Sequence, residues 1–240
     1  MSSNNSLALK IYKEFPFFKK AYFFYNIYIR NFKYLFGGSQ FNEENDLFDL
    51  FEKGHIGNYV DVGCFHPNKY SNTRKMHRSG WEGINIDLNP FTIDLFNFVR
   101  PKAINLCLAL SNKIKKTKIY HHHELSPQNT INKDHLKWME EHFGLKKLKS
   151  KFIKTQTLEN VLKKYNFINI DFLNVDIEGN ELEVITSLNL KKFKVKLICV
   201  EILGFNNLQK KRKKKLLNYL KRNKYNMIKK MGSNYIFQSR

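Results

Sequence analysis

From Asn58 onward the chain alternates short apolar runs with amphipathic segments. Tyr59-Val60-Asp61-Val62, Gly83 to Asp87, Ala103 to Leu110, Ile170 to Asp176 and Lys196 to Ile202 have the length and β-branched content of buried strands. Helices are signalled between them. Asn72 is placed to cap a short helix from Thr73 to Ser79, which Gly80 closes in a left-handed conformation. Asn89-Pro90 opens another, with Phe91, Leu95 and Phe98 on one face. Thr157 caps a third through Leu158, Val161 and Leu162, and a fourth bears Leu182, Ile185 and Leu188. Strand-and-helix units in register predict an α/β fold: a mostly parallel, doubly wound sheet with helices on both faces. A basic helix around Leu216, Leu217 and Leu220 then precedes Tyr225 to Lys230 and Tyr235 to Gln238, which predict a terminal antiparallel hairpin.

Two stretches interrupt the alternation. Residues 121 to 151 read as an insertion, a lid or substrate-recognition element, with a small helix from His135 to Phe143 between Asp134 as cap and Gly144 as stop. Residues 1 to 40 read as a helical extension in which Phe15, Phe17, Phe18, Tyr22, Phe23, Phe24, Tyr25 and Tyr28 mix with lysine and arginine. Gly37-Gly38-Ser39 marks a break before the main domain, residues 41 to 240. No stretch of about 18 residues there lacks charge, which argues against a transmembrane span. The clean apolar centre and cleavage site of a signal peptide are missing too. The extension fits either helices packed on the core or a basic aromatic surface lying on an anionic membrane.

The formal net charge of +21 bears on partners rather than on fold. It would suit nucleic acid, anionic lipid or a phosphorylated substrate. However, the excess is mostly lysine in a chain also rich in Asn, Ile, Phe and Tyr, so AT-rich codon usage competes with selected anion attraction as its source. Cys64, Cys107 and Cys199 are odd in number and lie in apolar surroundings, as expected of reduced thiols in a cytoplasmic protein.

The stretch Tyr59-Val60-Asp61-Val62-Gly63-Cys64-Phe65-His66-Pro67 passes from a strand through an acid into a glycine turn, as nucleotide-type cofactor sites begin. Asp87 ends the next strand about 24 residues after Gly63, close to the roughly 20 expected between such a turn and a ribose-binding acid. The turn lacks the second and third glycines that seat a pyrophosphate on a helix N-terminus, which disfavours NAD and favours a cofactor without pyrophosphate. Parallel sheets bind ligands at the carboxyl ends of their strands, so Gly63, Asp87, Leu110 and Asp176 should line one crevice.

Four pieces occur in order: Val60 to Gly63, Ile84 to Pro90, Asn174-Val175-Asp176-Ile177-Glu178-Gly179-Asn180-Glu181-Leu182-Glu183-Val184-Ile185, and Val200-Glu201. Together they resemble the FkbM-type methyltransferases over about residues 58 to 202. The resemblance implies a Rossmann-like class I sheet of seven strands and S-adenosylmethionine as cofactor. It also implies transfer of a methyl group to a hydroxyl of a sugar or another natural-product scaffold. Gly63 and Cys64 would then let the backbone approach the cofactor, and Asp61 would orient the turn or meet the cofactor's amino acid part. Asp87 would accept from the ribose hydroxyls, with Leu88 and Asn89 beside the adenine and Leu110 and Asp176 at neighbouring strand ends.

Methyl transfer to a hydroxyl needs donor and acceptor aligned and the acceptor's proton removed. Glu178 and His66 are the candidate bases, because both follow strand ends that should face the cofactor, and Asp176 would position substrate or cofactor. His66 also fits a turn histidine bonded to backbone, and Glu178 an acid favoured at a helix start. Asp176, Glu178 and Glu201 carry oxygens that magnesium accepts, yet nothing in the sequence makes them converge, and no metal is expected. His121-His122-His123 lacks a matching carboxylate or cysteine pattern. The expected activity is O-methylation of a saccharide or glycoconjugate acceptor in the cytoplasm, near the inner face of an anionic membrane. The alternatives are a nucleic-acid methyltransferase and a non-catalytic membrane-associated scaffold. The basic helix Lys210 to Arg222 prompts the first, but no base-stacking signature accompanies it.

Overall fold

The computed structural model describes residues 14, 16–39, 43–121, 129–133, 136–137, 140–141, 149–204 and 206–240. At the N-terminal side are α1 (Lys19–Phe24), continued by a wider helical turn over Tyr25–Arg30, and α2 (Glu43–Phe48). There follow β1 (Asn58–Val62), α3 (Arg74–Arg78), β2 (Glu82–Asp87), α4 (Pro90–Val99), β3 (Ile104–Cys107) and β4 (Ala109–Leu110). Next come β5 (Lys116–His121), β6 (Lys149–Gln156), α5 (Leu158–Lys164), β7 (Phe172–Val175) and α6 (Glu181–Thr186). The chain ends with β8 (Leu197–Glu201), α7 (Asn207–Arg222), β9 (Tyr225–Met231) and β10 (Asn234–Ser239).

Local chemistry sets three of the helix starts. The Asn89 side-chain oxygen accepts from Phe91 N at 3.0 Å with Pro90 at the first helical position, so α4 begins where expected. Thr157 likewise accepts from Asn160 N at 3.2 Å to start α5, and Asn206 with Gln209 forms a reciprocal capping box on α7. The start of α3 differs from expectation. It opens at Arg74 without a side-chain cap, because Thr73 bonds Asp61 at 2.6 Å and Asn72 bonds Asn174 at 3.1 Å. A buried polar network has taken the groups that would have capped the helix.

Seven strands form one sheet in the order β3-β2-β1-β7-β8-β10-β9, parallel except for β10, which runs antiparallel to both its neighbours. Alternation along the strands sends Val60, Val62, Ile84, Ile86, Leu173, Val175, Ile198 and Val200 to one face. There they pack beneath Leu158 and Leu162 of α5, Val184 and Ile185 of α6, and Leu216 and Leu220 of α7. Tyr59, Phe172, Leu197, Cys199 and Ile236 point the other way, against Leu47 of α2 and Met76 of α3. The predicted α/β architecture, with helices on both faces and a terminal hairpin, is therefore present.

The apolar run Ala103 to Leu110 does not form one buried strand. Leu108 N still bonds Asp87 O of β2 at 3.0 Å, and the chain then leaves β2, with Ala109 and Leu110 pairing with Thr155 and Gln156 of β6. β3 remains a half-exposed edge strand, while β4 joins a second sheet in the order β4-β6-β5. The pair β5 and β6, antiparallel from Lys116↔Lys154 to His121↔Lys149, was not expected. Five of the eight residues of β6 are exposed and three are lysine, so the period-two apolar signal is weak. Most of the helix expected over residues 135–143 lies outside the described residues, as do its cap and stop and His122 and His123.

The N-terminal segment rests on α4. Phe23 and Ile27 cluster with Leu95, flanked by Tyr22, Leu35, Phe91 and Phe98. Leu35 O accepts from Arg74 and Arg78, each at 2.9 Å. Among the described residues, no helix is long and apolar enough to cross a membrane.

Candidate functional site

The end of β1 and the end of β7 meet too closely for any side chain. Gly63 has φ +82° and donates its N–H to Ile86 O at 2.8 Å; a Cβ there would lie 1.6 Å from Asp176 O. Around this junction the loops after β1, β2 and β7, together with Leu108 and Leu110, enclose a cavity of about 420 Å³. It opens at the carboxyl ends of the parallel strands, where such sheets bind ligands.

One wall is a polar network built on Arg100, which is fully buried. Its Nη1 donates to Tyr59 OH (3.1 Å), Thr73 Oγ1 (2.9 Å) and Asn85 Oδ1 (3.2 Å), and its Nη2 donates to Pro67 O (2.7 Å) and Ser71 Oγ (3.0 Å). The Thr73 hydroxyl passes this polarity on by donating to Asp61 Oδ2 at 2.6 Å, and Asn174 donates to Asp61 Oδ1 at 2.9 Å. Burial raises the Asp61 pKa, while those two hydrogen bonds and the Arg100 charge act against the rise. Asp61 is thus fixed in one rotamer at the cavity floor.

Asp87 is held by backbone. Phe65 N donates to Oδ2 at 3.0 Å and Asn89 N to Oδ1 at 2.8 Å, which leaves lone pairs on both oxygens for a ligand. Burial pushes its pKa up to about 6 despite these donors. Leu88, Ile86, Leu108 and Leu110 supply the apolar part of the same cavity, and Asn129 lines it with a buried Oδ1 that lacks a hydrogen-bond partner.

The loop after β7 carries Asp176, Glu178 and Asn180 into the lining. Glu178 adopts a left-handed backbone, φ +57°, a strained state for a side-chain-bearing residue, followed by Gly179 at φ +99°. Glu181 reaches back to hold this turn, its Oε1 accepting from Gly179 N (2.8 Å) and Ile177 N (3.2 Å). Asn180 ties the turn to Leu110 O at 2.8 Å. Burial first, then Glu201, Glu178 and Glu181, raise the Asp176 pKa well above the carboxylate range. Its hydrogen-bonded neighbour Glu201 is pushed up to about 7 by burial and by Glu178 and Glu181.

The structure gathers Asp61, Gly63, Cys64, Asp87, Leu88, Leu110, Asp176 and Glu178 around the cavity. Two expected residues are not brought to its lining. Asn89 spends its side chain capping α4 and contributes through its backbone N–H to Asp87. His66 is directed elsewhere: its Nδ1 accepts from Asn68 N (3.0 Å) and Lys69 N (2.9 Å), which puts the proton on Nε2, 3.2 Å from Asn26 Oδ1. Burial, Lys69 and Arg100 lower its pKa to about 3. It therefore fastens the loop to the N-terminal segment as a neutral ring. Arg100, Thr73, Asn174 and Asn129 were not among the expected site residues. Ser71-Asn72-Thr73 was visible as a polar cluster, but the sequence presents it as a helix cap.

The cavity is acidic throughout. Glu43, Asp61, Asp87, Asp176 and Glu178 line it, and among the described residues no Lys, Arg or His does. No group of described His, Cys, Asp or Glu side chains is arranged to hold a metal ion. Residues 55–227 match the family model described as the methyltransferase FkbM domain. No curated protein and no solved structure matches the chain.

Proposed function

Because the chain belongs to the family of the methyltransferase FkbM domain, we propose that its crevice binds S-adenosylmethionine and methylates a hydroxyl of a sugar or glycoconjugate precursor. The observation that carries this reading is the cavity's charge. In a chain of net charge +21, it is lined by five acidic side chains and, among the described residues, no cation, so it opposes a phosphate and favours a positively charged ligand, which would itself draw the raised pKa values of Asp61, Asp87 and Asp176 back down. S-adenosylmethionine carries a sulfonium and an ammonium, whereas NAD and nucleic acid bring phosphates. The seven-stranded order, with antiparallel β10 between β8 and β9, supports a Rossmann-like class I methyltransferase sheet.

The side chains fit the cofactor's parts. Asp87, oriented by two backbone donors, accepts from the ribose diol, and the lone acceptor on Asn129 awaits a donor such as an amino group. Leu88, Ile86 and Leu108 flank the adenine, Gly63 lets the backbone lie against the ligand, and Asp61, held by Thr73 and Asn174, meets the ammonium, with Asp176 positioning substrate or cofactor beside it. The cofactor supplies an electrophilic methyl group. Glu178 receives the acceptor's proton, since it lines the cavity from a backbone conformation held by Glu181 and Thr130.

Two measurements test the two halves of this reading. Calorimetric titration should show binding of S-adenosylmethionine and S-adenosylhomocysteine but not NAD, with Asp87→Ala weakening it about 100-fold. The wild-type affinity should follow the ionisation of Asp87: with its pKa at about 6, binding at pH 5 should be about tenfold weaker than at pH 8. Asp87→Ala should lose that slope. Absence of binding by well-folded protein would sink the cofactor assignment and revive the scaffold alternative. For the proton, Glu178→Gln should lower turnover by about 10² to 10³ with cofactor affinity nearly unchanged. Turnover equal to wild type would remove Glu178 from the role.

A further inference from the structure

The face of the N-terminal segment that points away from α4 is apolar, yet it is turned to solvent. Phe17 is 98% exposed, Phe36 78% and Ile29 59%, with Phe24, Tyr28 and Phe32 exposed between them. They recur at helical spacing, and the rings touch along the face: Phe24 lies 4.9 Å from Tyr28 and Phe32 lies 5.4 Å from Phe36, centroid to centroid. An exposed apolar stripe of this extent marks an interaction surface. Its fringe is cationic, with Lys20, Arg30 and Lys33 all exposed and no acidic residue between positions 16 and 39.

The stripe reaches the rim of the crevice. Tyr34 packs edge-on against Tyr70 at 5.4 Å, and Tyr70 N donates to Gly38 O at 2.7 Å. Tyr70 and Phe65 in turn line the cavity, both in left-handed backbone (φ +55° and +50°), with Lys69 lying over the rings of Tyr34, Phe65 and Tyr70. Aromatic side chains interleaved with lysine and arginine, where among the described residues no helix is long and apolar enough to cross a membrane, match the chemistry of an anionic bilayer surface. We propose that this face docks on an anionic membrane surface and holds the crevice mouth, with its Lys69 and aromatic rim, toward an acceptor carried there. The second half rests on the methyltransferase reading above; the docking does not.

Flotation of the full chain with vesicles separates these possibilities. Wild type should float with vesicles of mixed phosphatidylcholine and phosphatidylglycerol, should not float with phosphatidylcholine alone, and should be released by high salt. Phe17→Ser/Ile29→Ser/Phe36→Ser, which alters only exposed positions, should weaken partitioning about tenfold or more while retaining wild-type circular dichroism and cofactor titration. Lys20→Glu/Arg30→Glu/Lys33→Glu should abolish the preference for anionic lipid. The docking is overturned if wild type ignores anionic vesicles. It is equally overturned if the triple-serine variant floats like wild type, which would assign binding to overall charge. Sedimentation equilibrium showing a dimer that the serine variant dissolves, with no flotation by either, would give the face to a second copy of the chain instead. Flotation without cofactor binding would leave the docking standing and remove the catalytic reading.

Discussion

Replacing Arg100 by methionine is expected to lower the folding free energy by about 3–5 kcal/mol, the usual cost of removing one member of a buried charged network. Methionine preserves most of the volume against Phe96, whose ring lies 4.7 Å from the guanidinium carbon. What it removes is the donor to five acceptors on Tyr59, Pro67, Ser71, Thr73 and Asn85, none of which water reaches easily around a fully buried side chain. Asp61 also loses its nearest positive charge and the hydroxyl geometry that Arg100 imposes on Thr73. Since domains of ordinary stability have about 5–15 kcal/mol to lose, the midpoint of thermal unfolding should fall by about 10 °C or more. Denaturant titration followed by circular dichroism gives the number. A loss below about 1 kcal/mol would mean that the network is solvated and does not organise the loop.

The second large effect belongs to Gly63→Ala. Any L-residue at φ +82° carries a cost of about 1–2 kcal/mol. Here the added methyl would also meet a backbone oxygen, Asp176 O, at 1.6 Å, so β1 and β7 must part at the floor of the crevice. Gly80→Ala is the matched control, because Gly80 has φ +89° with nothing near its absent Cβ. We expect Gly80→Ala to cost about 1 kcal/mol and to leave cofactor binding intact. Gly63→Ala should cost several times that and weaken binding by about 100-fold or more. Equal behaviour of the two variants would show that backbone conformation alone, and not the close strand approach, sets the requirement for glycine.

The framework was legible because burial is coarse. Leu197 to Val200 is an unbroken apolar run and Ile170 to Val175 is mostly apolar, as strands between two layers are, and Asn89-Pro90 states a helix start in two residues. Sheet geometry then brings strand ends together without further instruction, which is why Gly63, Asp87, Leu110 and Asp176 could be placed in one crevice in advance. Arg100 was not legible. It follows an apolar helix and precedes a proline, with nothing local to distinguish it from a solvated end-of-helix arginine, and its five partners come from three separate chain segments. Asn72 and Thr73 misled for a related reason: cap residues and network residues have the same composition, and only the approach of Asn174 and Asp61 decides between them. His66 sits directly after the cofactor-type turn, but two backbone donors claim one side of its ring and rotate the other toward Asn26.

The sheet ends on β9, which has β10 on one side and, among the described residues, no strand on the other. Nearly every residue of β9 is exposed, Met227 and Ile228 among them, so its open backbone would be a template for pairing with another copy of itself. Lys224 precedes that strand and Lys229 and Lys230 lie on it, Lys229 paired with Asp46 at 2.7 Å, so two such edges brought together would meet across a basic margin. Some of the chain's excess positive charge therefore lies where it would oppose pairing between two such margins.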